Sequence, residues 1–284
     1  MNPARVGTLN CLGPHGFHKV RYTDWGPADH PHVVVCVHGL TRNGRDFDFL
    51  AQRLSTRCRV ICPDVAGRGL SDRLAQPDDY GYPLYLADMA AVVARTGVER
   101  VDWVGTSMGG LIGMLFAAQP GAPLRRLVVN DVGPFIPKAA LERLAGYVGE
   151  DPRFDTIEAL EGYLRRIFAS FGPLTDAQWA HVAQHSALRL DNGRYTLAYD
   201  PAIGNAFRKP IEDVNLWPVW KSLRLPTLIT RGAVSDLLLA ATAREMMESA
   251  PPGSKLVEFE GIGHAPTFMV EDQMAAVEEF LFSA

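Results

Sequence analysis

The stretch Val-Asp-Trp-Val-Gly-Thr-Ser-Met-Gly-Gly occupies residues 101–110 and places one serine between an apolar run and a small-residue segment. Residues 101–104 have the composition of a buried strand, and residues 108–119 are typical of a helix that stops at Pro120. Ser107 is therefore predicted to lie in a sharp strand-to-helix turn, where glycines two positions away on each side avoid clashes. The bare Gly-x-Ser-x-Gly spacing is a weak signal, so this setting carries the prediction of a nucleophile at Ser107.

Strand and helix patterns alternate over most of the chain, which predicts an α/β fold with a mostly parallel sheet covered on both faces. The predicted strands are 18–22, 32–37, 59–62, 101–104, 127–130, 227–230 and 255–259. The predicted helices are 46–54, 84–96, 108–119 and 240–250 between these strands and 271–282 after the last strand. Residues 137–221 differ, with helical stretches at 139–148, 155–171 and 175–188 and an Asp191-Asn192-Gly193 turn. We interpret this segment as a helical cap inserted into one catalytic core, formed by residues 1–136 and 222–284.

The composition excludes several classes of protein. The 284 residues include 28 basic and 32 acidic side chains, a net charge of −4 that argues against nucleic-acid or membrane-surface partners. The N-terminal residues 1–17 do not have the basic and apolar regions of a secretory signal, and the apolar stretch 103–118 falls short of the ~20 residues that cross a bilayer. A cytoplasmic protein is predicted. The four cysteines are interpreted as reduced structural thiols; they are Cys11, Cys36, Cys58 and Cys62.

Further residues match the chemistry that a serine nucleophile needs. Backbone N–H groups of Met108 and of Leu40, in the loop after an early strand, are candidates for holding an oxyanion. In that loop, Gly39 allows close approach, and His38 is interpreted as a buried residue that shapes the loop rather than as the catalytic base. Downstream, Asp236 and His264 each follow a predicted strand, in the order Ser, Asp, His. They are predicted to complete a catalytic triad, with His264 as base and Asp236 as its partner.

These motifs resemble those of the α/β-hydrolase superfamily. The resemblance rests on five ordered segments: His38-Gly39, residues 64–72, residues 105–110, Arg231-Gly232 leading to Asp236, and Gly263-His264. It implies an eight-stranded, mostly parallel sheet with the cap inserted after the sixth strand. Some relatives carry the acid after that sixth strand, and Asp131 occupies this place. Asp131 is therefore the alternative acid to Asp236, and otherwise a residue that anchors the cap.

The resemblance also narrows the activity. Dehalogenases and epoxide hydrolases of this fold use an aspartate at the turn and dienelactone hydrolases a cysteine, whereas position 107 is serine. We expect a serine hydrolase that cleaves small or medium carboxylic esters, similar to bacterial carboxylesterases and intracellular hydroxyalkanoate-oligomer hydrolases. The alternatives are a hydrolase of C–C bonds similar to meta-cleavage product hydrolases, a lactonase similar to enol-lactonases, and a non-catalytic ligand receptor on the same fold.

The remaining expectations concern ligands and specificity. No cofactor is expected, because the sequence has no Gly-x-Gly-x-x-Gly or Walker motif, and no metal is expected at His181 and His185, which are interpreted as a helix face. Phe135, Trp217 and Trp220, at the junctions of the cap, are predicted to line an apolar acyl pocket. Four basic residues of the cap are candidates for binding a substrate carboxylate but are interpreted as solvated charges; they are Arg189, Arg194, Arg208 and Lys209. The expected partner is a small ester molecule, and the expected state is a monomer or homodimer.

Overall fold

Eight strands form one sheet in the computed structural model, which describes residues 4–283. They are β1 (Arg5–Gly13), β2 (Gly16–Trp25), β3 (Val33–Val37), β4 (Arg59–Pro63), β5 (Val101–Thr106), β6 (Leu124–Asn130), β7 (Thr227–Gly232) and β8 (Lys255–Phe259). Their order across the sheet is β1-β2-β4-β3-β5-β6-β7-β8. The contacts of β2 with β1 and β4 are antiparallel, and all others are parallel. The expected eight-stranded, mostly parallel sheet is confirmed.

The described part of the chain contains nine α-helices. They are α1 (Asp48–Leu54), α2 (Tyr82–Thr96), α3 (Met108–Ala117), α4 (Lys138–Ala145), α5 (Ile157–Ile167), α6 (Asp176–Ser186), α7 (Trp217–Ser222), α8 (Ala240–Glu248) and α9 (Glu271–Phe282). Alternate side chains of β3 enter two apolar layers: Val35 packs in the layer that contains residues of α2 and α3, and Cys36 in the layer with α1 and α9. Burial on both faces explains why the central strands are continuous apolar runs.

Helices α4 to α7 all lie between β6 and β7, together with 3₁₀ helices at Ala169–Phe171 and Pro201–Arg208. Two short antiparallel ribbons accompany them. Phe135–Ile136 pairs with Val214–Asn215 where this insertion leaves and rejoins the sheet, and Ala187–Arg189 pairs with Tyr195–Leu197 across the predicted turn. The insertion therefore follows the sixth strand, as the resemblance implies.

The N-terminal hairpin differs from the sequence prediction. The sequence indicated one strand at 18–22, whereas the structure has β1 and a longer β2. Strand β1 lies at the edge of the sheet, and only Cys11 among its side chains is fully buried. An edge strand with one solvated face lacks the apolar run that identifies a central strand.

The cysteines match their prediction as structural thiols. All four are buried and free. Burial raises the pKa of Cys11 and that of Cys58 to about 12, so both thiols stay protonated at neutral pH. None of the helices within residues 4–283 combines the length and the apolar character that crossing a membrane requires.

Candidate active site

Ser107 lies in a strained turn between β5 and α3. Its φ of 52° and ψ of −115° are outside the range of ordinary residues, a conformation that persists only where the surroundings enforce it. The glycines on either side make this possible. A Cβ atom on Gly105 would lie 2.2 Å from the carbonyl oxygen of Gly109, and one on Gly109 would lie 1.9 Å from that of Val37. The predicted turn is therefore present, and it presents the serine at the carboxyl edge of the sheet.

Three side chains form a continuous hydrogen-bonded chain at this edge. The Nε2 atom of His264 lies 3.0 Å from Oγ of Ser107, and its Nδ1 atom lies 2.8 Å from Oδ2 of Asp131. Asp131 directly follows β6 and is completely buried, with a positive φ of 53°. An imidazole between a hydroxyl and a buried carboxylate is the arrangement that activates a serine nucleophile.

The structure contradicts the prediction of Asp236 as the partner of His264. The Asp236 carboxylate accepts hydrogen bonds from Nε and NH2 of Arg143 on α4, and its side chain is half exposed. The alternative acid, Asp131, contacts the histidine instead. The end of β7 and the loop after it hold the Asp131 carboxylate in place: the Gly232 N–H donates to its Oδ1 (2.8 Å) and the Ser235 hydroxyl to its Oδ2 (2.6 Å). The segment in which the sequence predicted the acid thus positions Asp131, and its own Asp236 does not contact the histidine.

His38 is buried beneath the loop that follows β3, as predicted. Its Nε2 accepts the Val65 N–H (2.9 Å), so its Nδ1 carries the proton and donates to the carbonyl oxygen of Gly39 (2.7 Å). Burial lowers the pKa of His38 to about 3. A neutral imidazole with both nitrogens engaged joins the loop after β3 to the backbone at Val65.

This buried histidine makes a testable contribution to stability. Because the pKa of His38 falls from 6.5 to about 3 on folding, the unfolded chain binds one more proton between those pH values. Stability is then lost as the pH falls from 6.5 toward 3, by about 1.4 kcal/mol per pH unit from this group. We expect His38→Gln to remove this part of the pH dependence of the free energy of unfolding. Urea unfolding of the wild type and the variant between about pH 6.5 and 4.5 measures the difference. Equal slopes in the two proteins would contradict it.

Two backbone N–H groups are brought beside Ser107. Met108 is the first residue of α3, so its N–H has no acceptor within the helix. The loop of Leu40 packs against the serine, since a Cβ on Gly39 would lie 3.8 Å from Cβ of Ser107. The Nε atom of buried Arg68 donates to the carbonyl oxygen of Leu40 (2.9 Å), which fixes the adjoining peptide plane. Arg68 belongs to the segment 64–72, and its contact with this loop was not predicted.

The residues after Leu40 connect the core to the insertion. Arg42 is buried, forms a two-point ion pair with Asp46 and donates from NH1 to Oγ of Ser186 (2.7 Å). The next residue, Asn43, donates from Nδ2 to the carbonyl oxygen of His185 (2.8 Å). The loop that carries the Leu40 N–H is thus anchored to the end of α6.

A pocket opens in front of Ser107 and contains about 780 Å³ of space outside protein atoms, part of it open to solvent. The core contributes the loop around Leu40 and the segment from His264 to Thr267. The insertion contributes mainly apolar and aromatic side chains: Leu144, Tyr147, Ile167, Phe168 and Phe171. The rings of Phe168 and Phe171 stack with centroids 4.7 Å apart. The pocket therefore has a polar floor at the serine and a mainly apolar wall from the insertion, at the ends of α4 and α5 and in the residues that follow them.

The predicted pocket residues Phe135, Trp217 and Trp220 do not line this cavity, and that prediction is wrong. Trp220 is completely buried and donates from Nε1 to the carbonyl oxygen of Met246 (3.1 Å), so it joins α7 to α8. Phe135 lies in the ribbon opposite Asn215. These aromatic side chains pack where the insertion joins the core. Pocket-lining residues were missed because nothing local distinguishes a helix face that turns toward a cavity.

One group of side chains within residues 4–283 has the composition of a metal site. The ligand atoms of Asp48, His181 and His185 all lie within 4.8 Å of one another. Both carboxylate oxygens of Asp48, however, already accept hydrogen bonds from Arg45, and Nε2 of His181 lies 3.0 Å from the carbonyl oxygen of Arg45. These contacts explain the cluster as a junction between α6 and α1.

Known proteins resemble this chain over most or nearly all of its length. A sequence profile described as the Alpha/beta hydrolase family matches residues 34–280. A 3-hydroxybutyrate-oligomer hydrolase of Cupriavidus necator is 43% identical over 290 residues, which cover 99% of this chain and 98% of that protein. A 2-(acetamidomethylene)succinate hydrolase of Mesorhizobium japonicum is 30% identical over 77% of each chain. The crystal structure of an alpha/beta hydrolase from Novosphingobium aromaticivorans superposes with a TM-score of 0.88, at 36% identity and 99% coverage of both chains.

Proposed function

The chain belongs to the alpha/beta hydrolase family, and from this premise we propose that it hydrolyses carboxylic esters through an acyl-enzyme on Ser107. The observation that carries the proposal is the hydrogen-bonded chain from Asp131 through His264 to Ser107. It combines a nucleophile, a base and a group that orients the base, each within hydrogen-bonding distance.

The proposed reaction has two halves. His264 takes the proton from Oγ of Ser107 through Nε2 while Oγ attacks the ester carbonyl. The N–H groups of Leu40 and Met108 stabilise the resulting oxyanion, and His264 then protonates the leaving alcohol. In the second half, His264 takes a proton from water, which attacks the acyl carbon; the bond to Oγ of Ser107 then breaks, His264 returns the proton to Oγ, and the acid is released. Throughout, Asp131 accepts the Nδ1–H of His264 and stabilises the imidazolium form.

For the substrate, we propose short esters of hydroxyalkanoic acids such as 3-hydroxybutyrate oligomers. The relative from Cupriavidus necator supports this class, because its identity of 43% extends over nearly the full length of both chains. The apolar wall formed by Leu144, Ile167 and Phe171 also suits a short aliphatic backbone. No cofactor enters this mechanism.

The segment 137–221 is proposed to act as the cap over this site. The ends of its helices α4 and α5, with the residues that follow them, supply the wall of the pocket that faces Ser107. A cytoplasmic location is also proposed, supported by four buried cysteines that are all free, since such thiols persist in a reducing compartment.

The test is a panel of esters with increasing acyl length, assayed beside a vinylogous diketo acid and an enol-lactone. We expect turnover of p-nitrophenyl butyrate and of a 3-hydroxybutyrate dimer, and labelling of Ser107 by a fluorophosphonate. Preferential cleavage of the diketo acid or of the lactone would favour the corresponding alternative activity. Ligand binding without any turnover would instead indicate a non-catalytic receptor, and an unlabelled Ser107 in an active protein would contradict the acyl-enzyme mechanism.

A further inference from the structure

Arg143 on α4 lies in the same pocket as Ser107 and His264. Its guanidinium faces Asp236, to which Nε and NH2 donate a pair of hydrogen bonds. Tyr147, which lies just beyond the end of α4, also lines the pocket and interacts with Arg143. A cationic group with planar donors is therefore present on a wall that is otherwise mainly apolar.

A ligand can displace Asp236 from its ion pair with Arg143. Both side chains are substantially exposed, at 41% and 50% of their full accessibility, and such pairs contribute little to stability. The second arginine of the pocket, Arg42, differs in each respect. Its side chain is buried, Asp46 and Ser186 occupy its donors, and its guanidinium lies over the ring of Phe168. Arg143 is thus the pocket arginine whose present partner a ligand can replace at small cost.

We propose that Arg143 binds a free carboxylate of the substrate and that Asp236 occupies the guanidinium when the pocket is empty. The inference rests on the proposed function, because an oligomer of a hydroxyalkanoic acid carries one terminal carboxylate in addition to its ester bonds. The planar fork of Arg143 matches a carboxylate in two-point geometry, as its pair with Asp236 already demonstrates.

This assignment fixes the orientation of the oligomer in the pocket. The carboxyl end of the oligomer lies toward α4, the ester carbonyl lies at Ser107, and apolar side chains such as Leu144 and Ile167 contact the methyl-bearing chain between them. A neutral ester of the same shape fills the pocket but leaves the guanidinium with Asp236. The enzyme is therefore selective for acidic oligomers over their neutral esters.

The experiment compares a 3-hydroxybutyrate dimer with its methyl ester, and the readout is the ratio of their kcat/KM values. In Arg143→Gln we expect this ratio to fall at least tenfold, mainly through a higher KM for the acid. Arg143→Lys keeps the charge without the planar fork, so we expect it to retain part of the ratio. Asp236→Asn removes the competing carboxylate and is expected to lower KM for the acid.

The matched control is Arg166→Gln. Arg166 lies on α5, donates to the carbonyl oxygen of Gly162 and does not line the pocket, so the wild-type ratio should persist. An unchanged ratio in Arg143→Gln, or an equal loss with both substrates, would overturn the assignment while the proposed function stands, because the wild type still hydrolyses the methyl ester. If the wild type cleaves neither substrate, the proposed function fails and this inference fails with it.

Discussion

Replacing Ser107 by alanine is expected to lower kcat for p-nitrophenyl butyrate about 10⁶-fold. The substitution removes Oγ, which lies 3.0 Å from Nε2 of His264, and with it the atom on which the acyl-enzyme forms. The backbone N–H groups beside the serine remain, so a small residual rate above that of water is expected. Steady-state kinetics of the purified variant measure this loss.

The control for this prediction is Ser222→Ala. Ser222 is an exposed residue of α7 whose hydroxyl donates to the carbonyl oxygen of Val219, far from the pocket in sequence and in its contacts. Its kcat should stay within a factor of about two of the wild type. Ester hydrolysis by Ser107→Ala at the wild-type rate would refute the mechanism.

Asp131→Asn is expected to lower kcat about 10⁴-fold. The asparagine oxygen can still accept the Gly232 N–H, which leaves its NH₂ group toward His264. That group donates to Nδ1 and so places the imidazole proton on Nε2, the nitrogen that must accept the proton of Ser107. The imidazolium form also loses its compensating charge.

The comparison with Asp236→Asn separates the two candidate acids. Because the Asp236 carboxylate pairs with Arg143 and not with the histidine, Asp131→Asn should lose at least about 10³-fold more kcat on a neutral ester. Thermal unfolding of both variants establishes that they are folded. The opposite order of losses would restore Asp236 as the acid and contradict the geometry of the site.

The local parts of this site could be predicted from the sequence. Ser107, Met108 and the adjacent glycines lie within one strand, one turn and one helix, and short-range steric rules determine their arrangement. The burial of His38 could be predicted in the same way, since it follows a buried strand directly. Each of these predictions needed only neighbouring residues.

The choice between Asp131 and Asp236 could not be made from neighbouring residues alone. The residues preceding Asp131 pair in register with β7, so the carboxyl ends of both strands meet at one edge and either loop can supply the acid. What decides between them is which carboxylate receives the N–H of Gly232 and the hydroxyl of Ser235, about 100 residues away along the chain. No local sequence pattern predicts such long-range hydrogen bonds.

The residues that line the pocket could not be predicted either, because their positions also depend on packing between distant segments. Phe168 and Phe171 line the cavity, whereas Trp220 is buried against α8, and all three are aromatic residues of the same insertion. Their positions depend on how α4, α5 and α7 dock on the core, and periodicity within one helix does not specify docking.

The anchoring of the Leu40 loop to α6 has a consequence for the divergence of such enzymes. Arg42 and Asn43 reach Ser186 and the carbonyl oxygen of His185. A graft of another insertion onto this core therefore replaces the partners that hold the loop of Leu40, whose N–H is the proposed oxyanion donor. A recombined enzyme of this kind is therefore expected to have a lower kcat. The exception is a transplanted segment that keeps a hydroxyl and a free carbonyl oxygen at the end of its corresponding helix.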